Sequence, residues 1–167
     1  MVRSTRPLRL WQPAPDGERP PWYVLMFRVS AVLAALVVLG IFFYYAFRLT
    51  LSPVQDNGQA GGNTDPGRSL RFYLDDPTPD TVRQLGGNLI LLAPLGVLLP
   101  VVAVALRGPI RLALVAGLVS LAIEGVQQFL VMGRAFDIDD VILNVAGVVL
   151  AYLVAGRRIS YALRGRP

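Results

Sequence analysis

Residues 29–47 read VSAVLAALVVLGIFFYYAF, nineteen positions without a single charge. At about 1.5 Å per residue, a helix of that length covers about 28 Å, close to one bilayer hydrocarbon core. Arg28 stands just before the run and Arg48 just after it. Trp22 and Tyr23 precede them, an aromatic pair suited to the headgroup level of a membrane. This places a first span at about 24–47. A secretory signal peptide would have a shorter apolar region and a small-residue cleavage site, and neither is found here.

Composition extends that reading to the whole chain. Of 167 residues, 54% are apolar and only 16% charged, against about 25% charged in an average soluble domain. Mean hydropathy is +0.52, and the polar residues collect in tails and loops instead of spreading along helix faces. Three further apolar stretches give spans at about 85–106, 112–132 and 138–155. The second contains Pro94 and Pro100, so it is expected to kink or break, which a membrane helix tolerates where neighbours re-satisfy the freed carbonyls. The fourth has an apolar core of only fifteen residues, Val141 to Ala155, about 22 Å of helix. It can cross only by bringing Asp139 and Asp140 to its boundary. Between the first two spans, residues 55–67 are rich in Gly, Asn, Asp and Gln and read as mobile. Leu70-Arg-Phe-Tyr-Leu74 is an apolar–aromatic island, read as an interfacial turn or a strand-like flap.

Arginine sets the expected orientation. All 16 basic residues are Arg. The amino-terminal segment through Arg28, the 107–111 turn and the carboxyl-terminal tail together hold eleven, and the 48–84 loop with Arg134 holds five. The richer side is expected to be cytoplasmic. The sequence therefore predicts an all-α polytopic membrane protein, a four-transmembrane-helix bundle with both termini in the cytoplasm. Its parts are a flexible Arg/Pro-rich tail over 1–22, a transmembrane domain over 23–156 and a basic tail over 157–167. The isoelectric point near 10.2 does not indicate nucleic-acid binding, because the charge lies beside apolar spans and no basic stripe interleaves with aromatics.

With no Cys and no His, the chain has no disulfides, thiol chemistry, imidazole base or Cys/His metal site. No metal and no cofactor is expected, and chemistry must come from carboxylates, amides, hydroxyls and Arg. The polar residues of the apolar stretches are the candidates. Ser120, Glu124, Gln127 and Gln128 recur at i, i+4, i+7 and i+8, and Asp137, Asp140 and Asn144 at i, i+3 and i+7. Asn88 lies one turn into the second span. With Arg134, these groups are expected to line an outward-facing pocket built from three helices. Each has a plainer role open to it. Asp137 and Asp140 suit helix capping, Asn88 and Asn144 suit interhelical bonding, Gln127 and Gln128 suit contact with water, and Arg134 suits pairing with an aspartate. Glu124 is hardest to explain as packing, since an intramembrane carboxylate must be neutral, paired or wetted.

Three motifs carry a resemblance to a known family. They are Asn88-Leu-Ile-Leu-Leu-Ala-Pro94-Leu-Gly96, Ser120-Leu-Ala-Ile-Glu124-Gly-Val-Gln127, and Gly133-Arg134-Ala-Phe136-Asp137-Ile-Asp139-Asp140 running on through Asn144 to Gly147. In that order and spacing, and with Leu49-Thr-Leu51-Ser-Pro53 after the first span, the chain resembles the VanZ-like family over roughly residues 45–155. The loop before Phe72 departs from the family's pattern. The resemblance implies a helical bacterial inner-membrane protein, related to a founding member linked to resistance to the glycopeptide teicoplanin.

Four functions remain open at this point. The first is an envelope protein whose pocket engages a lipid-linked or amphiphilic ligand such as a cell-wall precursor or a glycopeptide. The second is an enzyme on such a lipid, with Glu124 and Asp140 as acid and base and Asn88 and Asn144 orienting substrate. The third is a proton-coupled transporter, for which four helices are few unless the protein forms a homo-oligomer. The fourth is a scaffold. In all four the lipid bilayer is the first partner.

Overall fold

A computed structural model describes residues 20–51, 62–75, 77–131 and 135–165. Among these residues seven α-helices follow in order: α1 (Trp22–Thr50), α2 (Arg68–Asp75), α3 (Pro79–Leu91), α4 (Ala93–Val102), α5 (Pro109–Leu130), α6 (Ile138–Ala151) and α7 (Arg157–Arg164). Among the described residues there is no strand, only an isolated parallel bridge between Asn63 and Asp137. Four helical segments among the described residues are long and apolar enough to cross a membrane: Trp22–Thr50, Pro79–Val102, Pro109–Leu130 and Ile138–Arg164.

The second segment breaks where its sequence requires. Pro94 has no N–H to offer the preceding turn, so α3 closes at Leu91. Leu92 sits at φ −98° and ψ 0°, and the Leu95 N–H bonds back to the Leu92 carbonyl at 3.0 Å. Pro100 lies inside α4 and leaves the Gly96 carbonyl without its helical donor. That carbonyl faces Gly156, where a Cβ would overlap it. The fourth segment runs well beyond its short apolar core. It continues through a widened turn at Tyr152–Gly156, where the Arg157 N–H reaches the Tyr152 carbonyl, and on through α7. Its 27 residues extend about 40 Å, so its Arg-bearing end projects past a hydrocarbon core.

Helix α6 is the hub, packing on α3, α4 and α5, with α1 laid against α4. Glycines allow the closest approach. A Cβ at Gly147 would collide with the Leu89 carbonyl, and one at Gly96 with the Val148 carbonyl. Backbones meet directly there, the small-residue packing that substitutes in lipid for a hydrophobic driving force. Leu39, Leu92, Leu95, Leu112, Ala116, Val148 and Tyr152 form the core around this seam. By contrast α1 buries only Ala35, Leu39, Ala46 and Thr50. Phe42 packs beside this core, and most of the helix's other apolar side chains are exposed, as a lipid-facing helix requires.

Two expectations are corrected. The 70–74 island is neither a turn nor a flap but part of helix α2, and residues 62–67 of the stretch read as mobile are pinned by hydrogen bonds described below. Residues 55–61 of that stretch, nearly all of the 1–22 tail, and Ser52 and Pro53 lie outside the described residues. The start of α1, the α4–α5 turn and α7 share one end of the bundle. The end of α1, with α2 and the starts of α3 and α6, shares the other.

Candidate functional site

One face of α5 carries Ser120, Glu124 and Gln127 into the interior, all three buried. They follow the i, i+4, i+7 spacing that keeps a helical face together. The Asn144 amide Nδ2, on α6, donates to Ser120 Oγ at 2.9 Å. The Asp137 N–H donates to Glu124 Oε2 at 3.3 Å, so the intramembrane carboxylate meets the backbone at the start of α6. Gln127 Nε2 donates to the Thr50 carbonyl at 2.8 Å. Thr50 ends α1, where carbonyls lack intrahelical donors, and Gln127 supplies one from across the bundle. Gln128, one residue on and about 100° round the helix, is exposed.

A second group of residues ties the loop before α2 to the start of α6. The Asn63 N–H donates to the Phe136 carbonyl at 2.7 Å, and the Ile138 N–H to the Asn63 carbonyl at 2.9 Å. The Asp137 side chain caps α6 by accepting the Asp139 N–H at 2.9 Å. Its two oxygens also accept Asn63 Nδ2 at 2.9 Å and the Ser69 hydroxyl. Asp139 reaches the same segment. Its carboxylate accepts the backbone N–H groups of Gly67 at 2.6 Å, Ser69 at 2.8 Å and Leu70 at 3.1 Å. These are the unpaired donors at the first turn of α2, so a carboxylate about seventy residues away in sequence caps that helix and meets the positive end of its dipole. The result fixes α2 over this end of the bundle, with Phe72 and Leu74 outward.

Asp140, buried on α6, accepts Gln84 Nε2 from α3 at 3.4 Å. Asn88, one turn further along α3, is half-buried, and its Nδ2 has no hydrogen-bond partner among the described residues. The same holds for Gln127 Oε1 and Asn144 Oδ1. Arg134 lies outside the described residues. Ser120, Glu124, Gln127, Asp137, Asp140 and Asn144 therefore make separate hydrogen bonds on the facing parts of α5 and α6, with Asn88 on neighbouring α3. Among the described residues no group of three His, Cys, Asp or Glu side chains could hold a metal ion.

Sequence reasoning passed over Asn63, Ser69, Gln84 and Asp139 as site residues. Asp139 had a visible signal, since three acids in four positions cannot all face one way on a helix. Asn63 had none, being one polar residue in a polar stretch. What these residues offer chemically is carboxylate and amide recognition: acceptors at Gln127 and Asn144, a donor at Asn88, and the buried carboxylates of Glu124 and Asp140. A family model described as VanZ/LLP1 matches residues 27–159. No curated protein and no solved structure matches the chain.

Proposed function

The chain belongs to the VanZ/LLP1 family, and from that premise we propose that it is a multi-pass inner-membrane protein whose polar end recognises a lipid-linked or amphiphilic ligand at the outer leaflet. Both termini lie in the cytoplasm in this reading, following the Arg distribution. The observation that carries it is the trio of open amide atoms, Asn88 Nδ2, Gln127 Oε1 and Asn144 Oδ1. A buried polar atom without a partner costs about 1–3 kcal/mol, and three from three helices at one end represent a standing cost that a polar ligand would remove. Two acceptors and one donor suit a headgroup offering hydroxyl or amide protons together with a carbonyl or phosphate oxygen. Such chemistry is found in lipid-linked cell-wall precursors and in glycopeptides carrying an acyl chain.

Binding ranks ahead of catalysis here because the polar groups already hold one another in place. Glu124 accepts a backbone N–H, and Ser120 accepts the Asn144 amide. The test uses Glu124→Gln and Asn144→Ala in cells that depend on the protein for glycopeptide tolerance, with membrane abundance measured in parallel. Photo-crosslinking from position 127 to radiolabelled lipid-linked precursor or teicoplanin reads the ligand directly. Loss of tolerance and of crosslinking at normal abundance is expected. Wild-type tolerance and crosslinking in both variants would refute the reading. Turnover of the crosslinked lipid by the purified protein would replace binding by catalysis.

A further inference from the structure

The described carboxylates, unlike the arginines, are confined to one end of the bundle. Among the described residues every carboxylate side chain, from Asp65 to Asp140, lies on segments at the end that holds the polar site or, for Glu124, bonds to that end. The opposite end gathers Arg28, Arg107, Arg111, Arg157, Arg158 and Arg164 with no described carboxylate beside them. Orienting a chain in a membrane requires only that such charges lie near the boundary. Here three of them converge.

The meeting point is Gly165, which follows α7 at a φ of +78°, a conformation glycine adopts without strain. Arg107 Nη1 donates to the Gly165 carbonyl at 2.8 Å, while its Nη2 and Nε hold the Ser160 carbonyl and hydroxyl at 2.8 and 2.7 Å. Ser160 in turn donates to the Pro100 carbonyl at 2.6 Å, and the Arg107 guanidinium lies 4.7 Å from the centre of the Tyr161 ring. Arg107 is thus fixed by neutral groups alone. Arg28 Nη2, from α1, comes within 2.7 Å of where a Cβ on Gly165 would stand. Arg164 is the residue before, half-buried, with its Nε buried and without a hydrogen-bond partner among the described residues. Burial holds the Arg107 guanidinium below its ordinary range, and the like charges of Arg164 and Arg28 act in the same direction. Like charges held this close repel, and an anion accepting from their guanidinium groups would offset that repulsion.

We propose that Arg28, Arg107 and Arg164 form an anion site for a phosphate-bearing headgroup, seated between α1, the α4–α5 turn and α7. Guanidinium forks match phosphate oxygens in pairs, and basic clefts between membrane helices suit anionic lipids. A bound phosphate would bridge α1 to α7, giving the weakly buried first helix a further attachment to the bundle. The site lies at the other end of the molecule from the polar region, so the proposal stands independently of the ligand proposed there.

The test uses the full-length protein in nanodiscs of phosphatidylcholine, phosphatidylcholine with one-third phosphatidylglycerol, or phosphatidylcholine with added inorganic phosphate. Thermal midpoint and native mass spectrometry of retained lipid are the readouts. Phosphatidylglycerol should raise the midpoint by several degrees and be retained in preference to phosphatidylcholine. Arg28→Gln combined with Arg164→Gln should reduce that preference at least tenfold, while Arg83→Gln at the opposite end leaves it unchanged. Arg28→Lys with Arg164→Lys should restore part of it. A phosphate effect of equal size, abolished by the same double variant, would assign the site to soluble phosphate instead of lipid. Equal retention of both lipids by the wild type with no phosphate effect overturns the proposal, as does a preference that survives the double variant.

Discussion

Removing the Asp139 carboxylate should release α2 from the bundle while leaving the spans in place. Three α2-turn amides, Gly67, Ser69 and Leu70, donate to this one side chain, and Asn63 Nδ2 approaches it at 3.3 Å. A hydrogen bond to a charged group is worth about 1.5–3 kcal/mol when lost in a buried setting. In Asp139→Ala the freed amides turn to water, and the net cost falls toward that of a lost helix cap plus its dipole interaction, together about 3 kcal/mol. Since about 1.4 kcal/mol is one decade, local opening of α2 should rise about a hundredfold. Asp139→Asn keeps one acceptor oxygen and turns an NH2 toward the remaining amides, so about tenfold is expected. Hydrogen exchange of residues 67–75, followed by mass spectrometry in nanodiscs, measures this directly, with α5 as internal reference. Unchanged exchange in the alanine variant would refute the view that α2 hangs from α6. Acceleration across α5 as well would show that Asp139 supports the whole bundle.

Gly147→Ala forces a Cβ into the Leu89 carbonyl, and since backbone cannot rotate away as a side chain does, α3 and α6 must part. A cost of about 1–3 kcal/mol is expected, read as a lower thermal midpoint in detergent, and an unchanged midpoint would contradict the seam. Asn88→Leu removes a buried donor without a partner, so the variant should melt higher by about 1–3 kcal/mol of stability while losing crosslinking to ligand. A variant both less stable and fully functional would contradict that role. A fluorescent protein fused after Pro167 should glow and a phosphatase there stay inactive, and the reverse result would invert the proposed orientation.

The four long apolar helices were legible in the sequence because they rest on a simple quantity, the length of a mainly apolar run. Leu85 to Leu106 announced its own break through Pro94. The extension of the last helix to Arg164 was not legible, since apolarity stops at Ala155 while long Arg side chains let the helix continue into the boundary. Helix α2 was hidden for another reason. Eight residues cannot sustain a helix alone, and its cap comes from Asp139, far along the chain. In the candidate site, the periodicity of Ser120, Glu124 and Gln127 was readable, but it could not choose between Gln127 and Gln128. That choice was made by the Thr50 carbonyl, which Gln127 reaches.

The glycine seam also governs what can move. Where Gly147 abuts the Leu89 carbonyl and Gly96 the Val148 carbonyl, sliding by one residue would bring those carbonyls against side chains in place of glycine, which ties α3 and α4 to α6. Freedom to move is then left to the periphery. The candidates are α2, latched by Asp139, and the far end of α1, where the Thr50 carbonyl is held by Gln127.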